Sequence, residues 1–212
     1  CQDSQKTVDV GNASKFGSRR SRRGSTVTTG DGGACTAVIL QILWDYHAKV
    51  TSKNPKKLTF TKVLLKMREN LKKKGYEQIP QLTSSRRLKG HETFRVIPKD
   101  FNGSKRALVI GITYVGTPWF IEGSHNDSKN MIKYLKEVHN FKNKEITILM
   151  DDGQHTHPTR ANIEKAFHDL AFSCQPGDAV FFHYAGHGGT TPDFSGDESE
   201  GSEESMYPVD YM

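Results

Sequence analysis

Cysteine is scarce: 212 residues hold three, Cys1, Cys35 and Cys174. So odd and sparse a set argues against a disulfide framework and for a reducing compartment. No Cys-x-x-Cys and no His/Cys cluster with zinc spacing occurs, which argues against structural zinc. Long apolar runs are missing as well. The longest, residues 37–44 with Gln41 inside it, is far short of the ~20 residues that span a bilayer, so no membrane association is expected. The amino end carries neither a signal-peptide pattern nor an initiator Met, so the sequence reads as a piece of something longer. With no targeting segment, a cytoplasmic location is the expectation.

Charge, by contrast, is plentiful and unevenly spread. Residues 1–106 carry a net +15 and the remainder a net −9, for +6 overall. A basic half raises the question of nucleic acid. Its Lys and Arg are scattered and not interleaved with stacking aromatics, which argues against that use. Attraction between two oppositely charged halves of one fold is the simpler reading.

Residues 1–34 are rich in Gly, Ser and Thr and read as mostly irregular. The cluster Ser18-Arg19-Arg20-Ser21-Arg22-Arg23-Gly24 reads as a solvated basic loop or as a cut site for a protease with a basic preference. Residues 35–50 and 59–74 have apolar side chains at helical spacing, the second with Gly75 as its stop. Segments 78–82 and 92–97 read as short extended pieces, and 98–105 as a linker. Beyond it the pattern changes. Residues 107–112 form a continuous apolar run, the mark of a strand covered on both faces. Strands at 146–150 and 179–184 alternate with helices at 126–139 and 159–172. Such alternation predicts an α/β fold with a mostly parallel sheet flanked by helices, its chemistry at the carboxyl ends of the strands.

Two polar segments leave those ends: Glu122-Gly123-Ser124-His125-Asn126-Asp127, and His183-Tyr184-Ala185-Gly186-His187-Gly188-Gly189. His183 lies inside the strand and reads as structural. His187, framed by glycines just past a buried strand, is placed as a general base, and the Gly188 amide as a donor to a developing oxyanion. The acidic run from Asp193 to Glu204 reads as a solvated loop or a hard-cation site without EF-hand spacing.

KRALVIGITY, GSHND, PTRANI, CQPGDAVFFHYAGHGG and MYPVDY stand in the order and spacing of a metacaspase large subunit. CQDSQKTVDV and LTFTKVLLKMRENLKKKGYEQIPQLTSS resemble parts of the small subunit. The chain thus resembles a metacaspase of the rearranged third type. Residues 1–104 would be the small-subunit region and 105–212 the large-subunit region of one caspase-like domain.

The resemblance implies a calcium-dependent cysteine endopeptidase cleaving proteins or peptides after Arg or Lys, working as a monomer with a Cys-His dyad. His187 matches the dyad histidine, and Gly188 would give an oxyanion amide. Asp127 matches the pocket carboxylate for the basic side chain, which would bind through a charge-assisted pair; a helix cap is its other reading. Glu203 matches a calcium-binding Asp, and Ala185 stands where the family usually has Ser. The family's nucleophile motif, Asp-Cys-Cys-His-Ser-Gly, falls beyond Met212. Of the cysteines present, Cys35 lies near a helix start, which would lower its pKa, but reads as packed. Cys174 is about 20 Å from His187, by seven strand residues at ~3.3 Å each. A catalytically inactive caspase-like scaffold is the alternative.

Overall fold

The computed structural model describes residues 33–50, 57–98, 101–192 and 202–211. The basic cluster at 18–24 and Cys1 lie outside the described residues. The centre is a parallel sheet ordered β2-β1-β3, from β1 (Lys105–Gly111), β2 (Ile146–Met150) and β3 (Ala179–Ala185). α1 (Ala34–Val50), α2 (Phe60–Lys73) and α3 (Ser124–His139) lie toward one face, α4 (Arg160–Ser173) toward the other. The expected α/β architecture, a largely parallel sheet between helices, is what the chain adopts.

β1 is central, so both its faces are covered and its side chains sort by strand alternation. Ala107 and Val109 join Ile132 and Leu135 of α3 with Phe141 and Met150. Leu108 and Ile110 join Ile163 and Ala166 of α4. This double burial explains the unbroken apolar run. At the strand's carboxyl end a side chain on residue 111 would strike Ser128 Oγ, so glycine there lets the first turns of α3 close on the sheet.

The amino-terminal part docks through apolar contacts. Met131 and Tyr134 of α3 share one buried cluster with Val38, Leu40, Val63 and Leu71 of α1 and α2. Long-side-chain ion pairs such as Lys73–Glu69, Arg86–Glu92 and Arg160–Glu164 are local and exposed, and contribute little. Among the described residues, hydrophobic burial is what joins the two parts.

Two expectations need correction. Segments 78–82 and 92–97 are irregular, apart from an isolated bridge between Thr93 and Thr59. The region after His187 folds into an antiparallel hairpin, β4 (Gly188–Pro192) with β5 (Ser202–Met206). Glu203 and Glu204 therefore stand on a strand and not in a loop, while residues 193–201 lie outside the described residues. Small and polar residues at 188–192 and 202–205 hid this strand pair from an apolar-pattern reading.

His183 lies in β3, its Nε2 buried without a hydrogen-bond partner, and burial pushes its pKa down to about 4. His139 is likewise pushed down to about 4, by burial and then by His47 and Lys105. Both rings are neutral in the fold above pH 6.5. Below that value the unfolded chain takes up protons the folded chain refuses, so stability falls between about pH 6.5 and pH 4. His183 alone accounts for up to about 3 kcal/mol at the acid end of this window. Urea midpoints at pH 7 and pH 4.5 should therefore lie closer together in His183→Phe than in the unaltered chain. An equal pH dependence in both would dismiss the effect of His183.

Candidate active site

His187 follows β3 in a turn closed by β4, and the structure holds it at four points. Its backbone N–H donates to Tyr114 Oη at 3.0 Å. Its carbonyl accepts from Tyr184 Oη at 2.6 Å and from the Tyr207 N–H at 3.1 Å. Its side-chain Nε2 lies 2.8 Å from the Trp119 carbonyl oxygen. A carbonyl only accepts, so Nε2 carries the proton and the neutral ring leaves the Nδ1 lone pair as the basic position. The ring packs against Tyr114, centroids 4.9 Å apart, and meets Trp119 edge-on at 6.1 Å. Tyr114, Thr117, Trp119, Tyr207 and Tyr211 line a small pocket at this ring.

The tyrosines form one network. Tyr114 Oη donates to the Tyr207 carbonyl at 2.7 Å and lies 3.2 Å from Tyr184 Oη. Burial raises both phenol pKa values, so they act as neutral hydroxyls. The network also explains two of the glycines. A side chain at 186 would strike the Tyr184 ring, and one at 189 would overlap Tyr207. Both are small because tyrosines fill the space a side chain would need. Gly188 opens β4, exposed, in register with Met206.

Asp127 lies in the first turn of α3, behind Gly123 as N-cap, so it is not the cap residue. It is 4% exposed and accepts the Gly33 N–H at 2.7 Å, tying the start of α1 to that of α3. Cys35, the second residue of α1, donates to Gln78 Oε1 at 3.3 Å. Burial, then the Asp127 charge, pushes its thiol pKa up, opposite to the lowering expected from a helix start. Cys174 ends α4 and donates to the Leu170 carbonyl, before β3 begins, whereas His187 follows the strand's other end. Cys174 is therefore at the wrong end of β3 to serve His187.

Asp151 follows β2 at the same edge of the sheet. Its side chain is 2% exposed and accepts the Thr113 N–H at 2.9 Å, the Val115 N–H at 3.0 Å and His125 Nε2 at 2.5 Å. Burial works to raise its pKa, but these three bonds outweigh it and hold the carboxyl below its ordinary range. Tyr114, between the two bound amides, has φ 56°, a left-handed conformation uncommon for a bulky residue. Sequence reasoning had not picked out Asp151, Tyr114, Tyr184, Tyr207 or Trp119. For Asp151 a signal existed: an acidic residue immediately past an apolar strand.

Glu203 is in register with Thr191 on the hairpin that begins at Gly188. Among the described residues no three His, Cys, Asp or Glu side chains gather where a metal ion could bind. No described helix is long and apolar enough to cross a membrane.

A parallel α/β sheet whose third strand delivers a glycine-framed histidine, with its ring fixed by a backbone carbonyl, has caspase-like architecture. Residues 105–212 match the family described as "Metacaspase, peptidase C14 domain", and the chain belongs to the metacaspase family. It is 42% identical over 213 residues to Metacaspase III c of Phaeodactylum tricornutum, a match covering all of this chain and 60% of that protein. It is 48% identical over 111 residues to Metacaspase-1 of Cryptococcus neoformans var. neoformans and 47% over 111 residues to Metacaspase-1 of Coccidioides immitis. Each of those matches covers 51% of this chain and 24% of the relative. The chain thus spans less than two thirds of the first of these relatives and about a quarter of the other two.

Proposed function

We propose that this chain is the body of a calcium-activated cysteine endopeptidase that cleaves proteins or peptides after Arg or Lys. The observation that carries the reading is the bond from His187 Nε2 to the Trp119 carbonyl, which leaves Nδ1 as the proton acceptor. The nucleophile is a cysteine from a segment beyond residue 212. The thiol proton passes to Nδ1 as sulfur bonds to the substrate carbonyl carbon and the carbonyl electrons move to oxygen. The Gly188 amide is assigned to that oxyanion. Collapse breaks the C–N bond, and the amine leaves with the proton from Nδ1. Water activated by the same nitrogen then hydrolyses the thioester.

Asp127 is the carboxylate for the basic side chain of the substrate, its negative charge buried at the base of α3. Calcium enters through Glu203 and the acidic run 193–200, whose clustered carboxylates suit a hard cation. The rearranged order, small-subunit region first, is the reading that similarity along the whole of this chain to a relative named Metacaspase III c favours.

The test is turnover of a fluorogenic peptide ending in Arg across a calcium titration, with the 212-residue chain beside the longer parent. Calcium-dependent turnover in the parent alone is expected. Turnover in neither would favour an inactive scaffold.

A further inference from the structure

The segment between β1 and α3 supplies both groups that fix the His187 ring, the Trp119 carbonyl and the Tyr114 side chain. It is folded tightly on itself. Thr117 N–H and Oγ1 bond the Tyr114 carbonyl, and the Ile121 N–H returns to the Thr113 carbonyl at 3.1 Å. What fixes its start is Asp151, whose two oxygens receive the amides on either side of Tyr114. These two bonds hold Tyr114 left-handed, and that backbone aims the phenol at the His187 N–H and the Tyr207 carbonyl. His125, in the first turn of α3, closes the carboxylate off from solvent and joins the segment's far end to the same anchor.

We infer that Asp151 is a positioning residue for the acid–base histidine, acting through the backbone of Tyr114 on the orientation of His187. Its bonds run to the Thr113 and Val115 amides and to His125, and not to His187. The inference rests on the proposed acid–base role of His187 for its meaning in catalysis, but not for its structural content.

That difference makes the two separable. Nitrogen-detected NMR of the His187 imidazole in the 212-residue chain reports the tautomer with no turnover needed. In the unaltered chain a single Nε2–H tautomer with a slowly exchanging proton is expected. Asp151→Asn puts an amide N–H against the Val115 N–H, so the expected result is a mixture of tautomers and loss of the slow Nε2–H signal. Asp152→Asn serves as the control, because among the described residues Asp152 bonds Gln154 and His155 of its own turn. A folded Asp151→Asn chain that keeps the single tautomer, as the control does, overturns the inference. Tyr114→Phe removes the hydroxyl link and is expected to free the ring in the same way. Should Asp151→Asn fail to fold, Tyr114→Phe decides alone, and an unaltered His187 signal in it overturns the inference. A parent enzyme inactive despite the expected tautomer shifts would count against the peptidase reading and leave this one standing.

Discussion

On the proposed peptidase reading, His187→Ala in the longer parent protein is expected to lower kcat/KM on an Arg peptide by about a thousandfold or more, the loss of both the proposed general base and the proposed general acid. The fold should barely register the change. Three of the bonds that hold residue 187 use its backbone, to Tyr114 Oη, Tyr184 Oη and the Tyr207 N–H, and an alanine keeps them. What goes is the Nε2 bond and the ring contacts with Tyr114 and Trp119. Those are worth about 1–2 kcal/mol together. Thermal unfolding of the 212-residue form and turnover of the parent, measured side by side, separate the effects. Retained turnover removes His187 from the mechanism, and a large loss of stability would make it a structural residue first.

The sheet was legible because it is buried. Leu108, Val109 and Ile110 must be apolar on both faces, and their unbroken run announces a parallel strand before any coordinates exist. The helices α3 and α4 announce themselves by the period of Met131, Ile132 and Leu135, and of Ile163 and Ala166. The hairpin of β4 and β5 had no such signature, since its stability comes from pairing and not from an apolar face. At the site, His187 could be singled out because glycines flank it at a strand end. The groups that hold it in place could not. Trp119 acts through a carbonyl, which no side-chain pattern reveals, and Asp151 acts on two backbone amides more than thirty residues away. Tyrosines read as core aromatics until their hydroxyls are seen to meet one carbonyl, that of Tyr207.

Asp127 has one role seen in the fold and one proposed for the substrate, and two substitutions pull them apart. Its carboxylate is buried, so it must keep its hydrogen bonds, and one of them fixes the Gly33 N–H at the start of α1. Asp127→Ala leaves that amide without an acceptor and should cost about 1–3 kcal/mol in urea unfolding of the 212-residue chain. Asp127→Asn keeps an oxygen for Gly33 but loses the charge, so its stability should lie within about 1 kcal/mol of the unaltered protein. For the parent enzyme the order reverses in meaning. A guanidinium entering a pocket without a carboxylate gives up a charge-assisted pair, and turnover of an Arg peptide by Asp127→Asn should fall about a hundredfold or more. A peptide with a neutral residue before the cleaved bond should be turned over no worse than by the unaltered enzyme. Full Arg turnover in Asp127→Asn would leave Asp127 only its structural work, joining α1 to α3, and would move the search for the specificity carboxylate elsewhere. An equal fall on both peptides would instead mean that the buried charge shapes the whole carboxyl edge of the sheet, His187 included.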